Sequence, residues 1–358
     1  MDAIQHLEKL VSINSVFPNE QELSDYCENW LKAKGFSVQR VDLPGKRGNL
    51  VARRGNPALA FYGHMDTVPV YGSWRSNPLQ LTGQERLYGL GAGDMKGGIA
   101  AVFAAIEQTT EDVAVVLCSD EENISAGANL LGSQLQGIKF MISVEPTENP
   151  ENAGRIMLGR RGRVVYRVQV AGVSAHGAMY EKGVNAIEKA AELVLQLQTL
   201  QLPRATQLGD CTVFVRSISG ENTSLSFPEN ASFEIDAHLV VGQDAEQLRN
   251  QLEQHLKKTH ERIVVTIIER ATPYSQPFYV SPDTAGVSVV SAAVQQVEGK
   301  SGFTTGLSVA DDNVFAKRFS VVGYGPVGGN FHSADEWVDR ASLLRCAEIY
   351  GNIIRNFL

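Results

Sequence analysis

Apolar runs that stop on metal-ligating side chains constrain this chain more than any other feature. Residues 59–62, 113–118 and 140–144 read as short buried strands. They lead into Gly63-His64-Met65-Asp66, Asp120-Glu121-Glu122 and Glu145-Pro146-Thr147. Helical patterns lie around and between them. Leu23, Tyr26, Cys27, Trp30 and Leu31 share one face of a predicted helix over 21–34, which Gly35 stops. Residues 97–108 form a small-residue helix opened by Gly93-Asp94-Met95-Lys96. Residues 36–43 alternate as a further strand, and 49–52 are another apolar run. Alternation of this kind predicts an α/β fold with a mostly parallel, mixed sheet flanked by helices.

The pattern changes after residue 162. Residues 163–170, 211–218, 231–239 and 264–268 read as strands, with helices over 185–200 and 245–259. Strand, helix, two strands, helix, strand is the order of a ferredoxin-like α+β unit. A proline-containing connection over 273–282 returns the chain to the first pattern. The expected organisation is a discontinuous catalytic domain, 1–161 and 273–358, with an inserted domain over 162–272. A chain of 358 residues is long enough for two cores.

The net charge of -8 argues against a nucleic-acid partner, whose phosphates need a basic surface. No apolar stretch is long enough to span a bilayer, and residues 1–10 lack the basic and apolar regions of a signal peptide. A cytoplasmic location without a membrane partner is therefore expected. Cys27, Cys118, Cys211 and Cys346 show no paired spacing, which fits buried thiols better than disulfides or a thiolate metal site.

Ligands of α/β sheets bind at the strand ends. Here His64, Asp66, Asp94, Glu121, Glu122 and Glu145 gather at such ends, and His332 follows in a glycine-rich stretch. Each alone has an ordinary explanation as a core histidine, a solvated acid or a turn. Together, acids at one rim repel one another unless a cation neutralises them. Mixed imidazole and carboxylate donors suit Zn²⁺, Co²⁺ or Mn²⁺.

These segments read G-H-M-D-T-V-P at 63–69, G-A-G-D-M-K-G-G at 91–98, D-E-E at 120–122, E-P-T at 145–147 and G-N-F-H-S-A-D-E at 329–336. In order and flanks, over nearly the whole chain, they resemble the co-catalytic zinc metallopeptidase family. That family includes acetylornithine deacetylase, succinyl-diaminopimelate desuccinylase, aminoacylase and glutamate carboxypeptidase. The resemblance implies two divalent metal ions, zinc with cobalt or manganese as substitutes. Asp94 would bridge them, His64 and Glu145 would complete one site, and Glu122 and His332 the other. It implies that Asp66 holds the far nitrogen of His64, that Glu121 is the general base, and that the 94–95 peptide is cis. It also implies a homodimer through the inserted domain, across which His176 stabilises the oxyanion of the partner subunit's site.

The implied substrate is a small N-acyl amino acid or a short peptide. Glutamate at position 145 goes, in that family, with deacylases and carboxypeptidases, which favours hydrolysis next to a free carboxylate, and the length and compact insert resemble acetylornithine and acetyl-lysine deacetylases. A dipeptidase or glutamate-carboxypeptidase-like activity is the alternative, followed by a metal-binding relative without catalysis. Two substrate positions depart from the family pattern. Leu225 stands where an asparagine is usual, with Asn222 nearby as a substitute, and His238 stands where an arginine is usual. Histidine lacks the bidentate fork of arginine, so substrate carboxylate recognition is left to Arg160, Arg161 or Arg216. Asp311, in Ala310-Asp311-Asp312-Asn313, is expected in the substrate pocket or in support of the ligands.

Overall fold

The apolar runs pair with one another at the centre of a sheet. In the computed structural model, which describes residues 1–132, 134–148, 150–222 and 224–357, the strand Leu59–His64 lies between Val113–Cys118 and Phe140–Ser143. Both pairings are parallel, and every residue of the three strands is buried. Burial on both faces is why these segments read as continuous apolar runs without alternation. Ser320–Gly323 continues the parallel centre beside Phe140–Ser143. On the other side the sheet turns antiparallel through Arg47–Arg54 and Ser37–Leu43. In the edge strand Ser37–Leu43 exposure alternates over the first four residues and slips by one position at Val41.

Helices Ala3–Ser12, Lys96–Ile106 and Arg340–Asn356 pack on one another against this sheet. All of Lys96–Ile106 is buried, so its run of glycine and alanine is a packing requirement. A Cβ on Gly98 would lie 2.2 Å from the Val144 carbonyl oxygen. The close approach of helix and strand exit at this point therefore depends on glycine. A separate small sheet joins Gly328–Gly329, Trp337–Asp339 and Arg86–Tyr88.

Contacts divide the chain into two units. The first holds Met1–Gly159, Val280–Gly306 and Ala310–Leu358, and the second holds Arg160–Tyr279 and Leu307–Val309. In the second unit Gly162–Ala171, Thr212–Ser219, Asn230–Leu239 and Ile263–Ile267 form one antiparallel sheet. The first strand of this set lies between the third and the fourth, which is the ferredoxin-like order. Its helices, Ala186–Gln196 and Ala245–Leu256, are capped by Asn185 and Asp244, whose side chains accept the first free backbone N–H groups. Val164, Tyr166, Val168 and Val170 on alternate positions pack with Leu193, Leu248, Leu252 and Leu256 from the helices. The four cysteines are buried and free. Among the described residues no helix is long and apolar enough to cross a membrane.

Candidate metal centre

Each strand exit in the first unit delivers one candidate ligand or its support. His64 closes its strand and is buried. Its Nδ1 lies 2.9 Å from the Asp66 carbonyl oxygen. A carbonyl can only accept, so Nδ1 carries a proton, and in the neutral ring this leaves the lone pair on Nε2. Nε2 is 3.1 Å from Asp94 Oδ1. The support expected of the Asp66 side chain is therefore supplied mainly by its backbone, since its carboxylate stands 3.8 Å from Nδ1. That carboxylate accepts the Glu122 N–H instead, at 2.9 Å, and so ties the first strand exit to the second.

The second exit is Asp120-Glu121-Glu122, after the strand Val113–Cys118. Asp120 has φ 77°, in the left-handed region. Its carboxylate accepts from Arg47 Nη1 at 2.9 Å and from the Ala126 N–H at 3.0 Å. Beyond that turn, Glu122 Oε2 lies 3.1 Å from His332 Nε2. Glu121 is half-buried, and desolvation raises its carboxyl well above the ordinary range, with help from the charges of Glu145, Asp311 and Glu122.

Asp94 faces both histidines: Oδ1 toward His64, and Oδ2 toward His332 at 3.5 Å. Its carboxyl is held low despite burial, because both imidazoles bond to it. The Asp94–Met95 peptide is cis, as the resemblance implied. Donor atoms of His64, Asp94 and Glu122 all lie within 4.8 Å of one another. Glu145, at the third exit, falls outside that group, although its charge raises Glu121 and Tyr62. The His332 bonds to Asp94 and Glu122 push its imidazole up to about 10. Burial opposes the charged form of His64, yet the Asp94 bond and nearby acids raise it well above its usual value.

This donor set fits a cation. The carboxyl groups of Asp66, Asp94, Glu121, Glu122, Glu145 and Asp311 outnumber the two histidines. Without a cation, the imidazoles are drawn into the positive form and Glu121 into the neutral one. The buried Asp66 Oδ1 also lacks a hydrogen-bond partner. A cation between the imidazoles and carboxylates would release the protons that the cluster otherwise holds.

Asp311 is fully enclosed, with Oδ2 accepting from the Tyr62 O–H at 2.8 Å. A substrate-facing place and a place in support of the ligands were both expected of it. The remaining sequence candidates lie in the second unit. His176 is exposed, and its Nδ1 accepts the Ala178 N–H at 3.1 Å. Asn222 folds back on its own turn, bonding Ser224 and Ser226, while Leu225 is 82% exposed. His238 stacks on Phe214, and burial lowers its pKa. Arg216 pairs with Glu234 at 3.3 Å, and Arg161 bonds the Leu208 carbonyl.

Sequence reasoning did not single out Tyr62, Arg47 or Glu336. Tyr62 is two residues before His64 on the same strand, so period-two geometry was an available signal. Glu336 closes the motif at 329–336, but nothing local marks it as buried. It is only 2% exposed, and its carboxylate accepts three backbone N–H groups.

Residues 60–356 match the peptidase family M20/M25/M40. The chain belongs to this family. It is accordingly a metal-dependent hydrolase of amide bonds. Succinyl-diaminopimelate desuccinylase of Caulobacter sp. (strain K31) is 28% identical over 375 residues, spanning 100% of this chain and 96% of the relative. The crystal structure of aminopeptidase PepT from Bacillus cereus ATCC 10987 aligns with a TM-score of 0.83 at 18% identity, covering 98% of this chain and 97% of that one. The Bacillus subtilis YXEP protein, described as a dinuclear metal binding peptidase, aligns with a TM-score of 0.75 at 14% identity, over 98% and 96% of the two chains. The two structural likenesses speak to the fold.

Proposed function

We propose that this M20-family hydrolase removes the acyl group from a small N-acyl amino acid, using two divalent cations, zinc in the first instance. His64, Asp94 and Glu145 would hold one, and Asp94, Glu122 and His332 the other. When bound, the cations supply Lewis-acid polarisation of the amide carbonyl and lower the pKa of water. The observation that carries the reading is Glu121: a half-buried carboxyl close enough to His64, Glu122 and Glu145 to feel their charges, with its proton affinity raised by desolvation and by the two acids.

A base of that kind takes a proton from the attacking water and passes it to the leaving nitrogen. Asp66 and the Glu122 N–H keep Glu121 in register with the His64 strand. In the proposed homodimer the partner subunit's His176 donates to the developing oxyanion. Its Nδ1 accepts a backbone N–H, which leaves the proton of the neutral ring on Nε2, the tautomer that such a donor requires. Asn222 and His238 would contact the substrate and Arg160, Arg161 or Arg216 its carboxylate, with Asp311 holding Tyr62 behind the ligands.

The full-length similarity to desuccinylases supports an acyl substrate. Release of free amine, measured with zinc- or cobalt-loaded protein, tests this. The panel holds N-acetyl and N-succinyl amino acids beside dipeptides ending in Glu, Asp or Leu. Turnover of an acyl amino acid, reduced about 10²–10⁴-fold in Glu121→Gln, is the expected result. Preference for dipeptides would refute deacylation in favour of a peptidase, and full activity of the Glu121→Gln protein would remove its role as base.

A further inference from the structure

The carboxylate of Glu336 lies inside the first unit. It accepts the Gly91 N–H on Oε2 at 2.8 Å, and the Gly93 and Asp94 N–H groups on Oε1 at 2.9 and 2.8 Å. Its own carbonyl accepts the Gly89 N–H at 3.1 Å. Burying a carboxylate is costly unless donors surround it. Amide donors to a charged acceptor are roughly twice as strong as neutral pairs. Here every donor belongs to the loop that ends in Asp94.

The same segment carries His332 four residues earlier. Phe331, beside His332, packs so closely on Gly93 that a Cβ there would lie 2.4 Å from its ring. The segment is stitched internally by Asn330 Nδ2 to the Asp335 carbonyl and by the Ser333 N–H to the Asn330 carbonyl. Trp337 and Asp339 then anchor it to the small sheet through Tyr88 and Arg86. One short stretch thus presents His332 and grips the backbone of Asp94. The grip sets where Asp94 places its two oxygens, one toward each histidine.

We infer that Glu336 is a positioning residue for cation binding, locking the register of Asp94 against His332. The inference rests on the proposed reading of Asp94 and His332 as ligands. Glu336 touches neither cation nor substrate. In Glu336→Gln the remaining oxygen still serves Gly93 and Asp94, while an NH₂ group meets the Gly91 N–H. In Glu336→Ala the whole cradle is lost.

Cobalt titration of metal-free protein, followed by calorimetry and by the visible cobalt spectrum, tests this. The Val115→Ala protein, with a cavity at the sheet centre, serves as a control for lost stability alone. The expected result is a dissociation constant raised about 10-fold in Glu336→Gln and toward 100-fold in Glu336→Ala. A changed cobalt spectrum should accompany it, while Val115→Ala melts earlier but binds cobalt as the parent does. If both Glu336 variants bind cobalt with the parent affinity and spectrum, the positioning role is refuted and the metal reading stands. If the parent protein takes up no cobalt, the metal reading falls and the positioning role with it. If Val115→Ala loses cobalt affinity as much as Glu336→Ala does, stability alone explains the loss and the positioning role is refuted.

Discussion

Arg47→Met should destabilise the metal-free protein by an amount that grows with pH. Arg47 is 12% exposed, and its Nη1 lies 2.9 Å from Asp120 Oδ1 and 3.4 Å from Glu20 Oε1. Its guanidinium also sits 5.2 Å from the centre of the Phe17 ring. Methionine fills much of the volume but leaves two buried acids without their cation. Breaking such a pair costs about 3–5 kcal/mol. Glu20 softens the loss, because burial already raises its carboxyl to about 7. Without Arg47 it keeps its proton to higher pH.

The sign follows from proton counts. The unfolded Glu20 is ionised above its ordinary value of about 4.5, whereas the folded variant retains a proton, so its stability falls as pH rises. In the parent this fall ends near pH 7, where Glu20 ionises beside Arg47. The difference between the two proteins should therefore be about 3 kcal/mol at pH 6 and grow by up to about 1.4 kcal/mol for each pH unit above 7. Urea denaturation of both metal-free proteins at pH 6, 7 and 8 measures it. A loss below about 1 kcal/mol, or one that shrinks as pH rises, would refute the account of Glu20 and Asp120 as dependent on Arg47.

His6 is buried against Trp30 and Phe103, and burial lowers its pKa to about 4 although Glu107 Oε1 lies 3.5 Å from its Nε2. The unfolded chain binds this proton first, so stability present above pH 6.5 is lost as pH falls toward 4, by about 2–3 kcal/mol. Denaturation curves of His6→Phe should lack that portion of the acid loss. Gly98→Ala should lower the melting temperature, because about 1–3 kcal/mol of overpacking against Val144 outweighs the roughly 1 kcal/mol that alanine gains in a helix. A more stable variant would mean that the Val144 exit yields freely. Tyr62→Phe should cost about 1–3 kcal/mol, since the Asp311 oxygen it serves is fully enclosed. An unchanged urea midpoint would show that the pair contributes nothing net.

Periodicity and motif spacing made much of this protein legible beforehand. The runs at 113–118 and 140–144 read as buried strands, because burial on both faces suits so continuous an apolar pattern. Their exits at Glu121, Glu122 and Glu145, with His64 and Asp94, marked one rim as the place for chemistry. The strand Arg155–Arg160 and the small sheet of Arg86–Tyr88, Gly328–Gly329 and Trp337–Asp339 were not legible. The strands of the small sheet have only two or three residues and carry no period, and Arg86–Tyr88 pairs with a strand far away in sequence.

Local pattern by itself determined which segments are buried and which residue types close them, since hydrophobic spacing and strand ends are properties of neighbouring residues. Only the tertiary structure decided how those side chains divide the work. It aimed Glu122 at His332 beyond the left-handed Asp120, gave His64 the Asp66 carbonyl, and sent the Asp66 carboxylate to the Glu122 N–H. It also brought Glu336 onto the Asp94 loop across 242 residues. Such choices depend on which backbone donors the packed chain brings within hydrogen-bonding distance, and no short window of sequence contains that information.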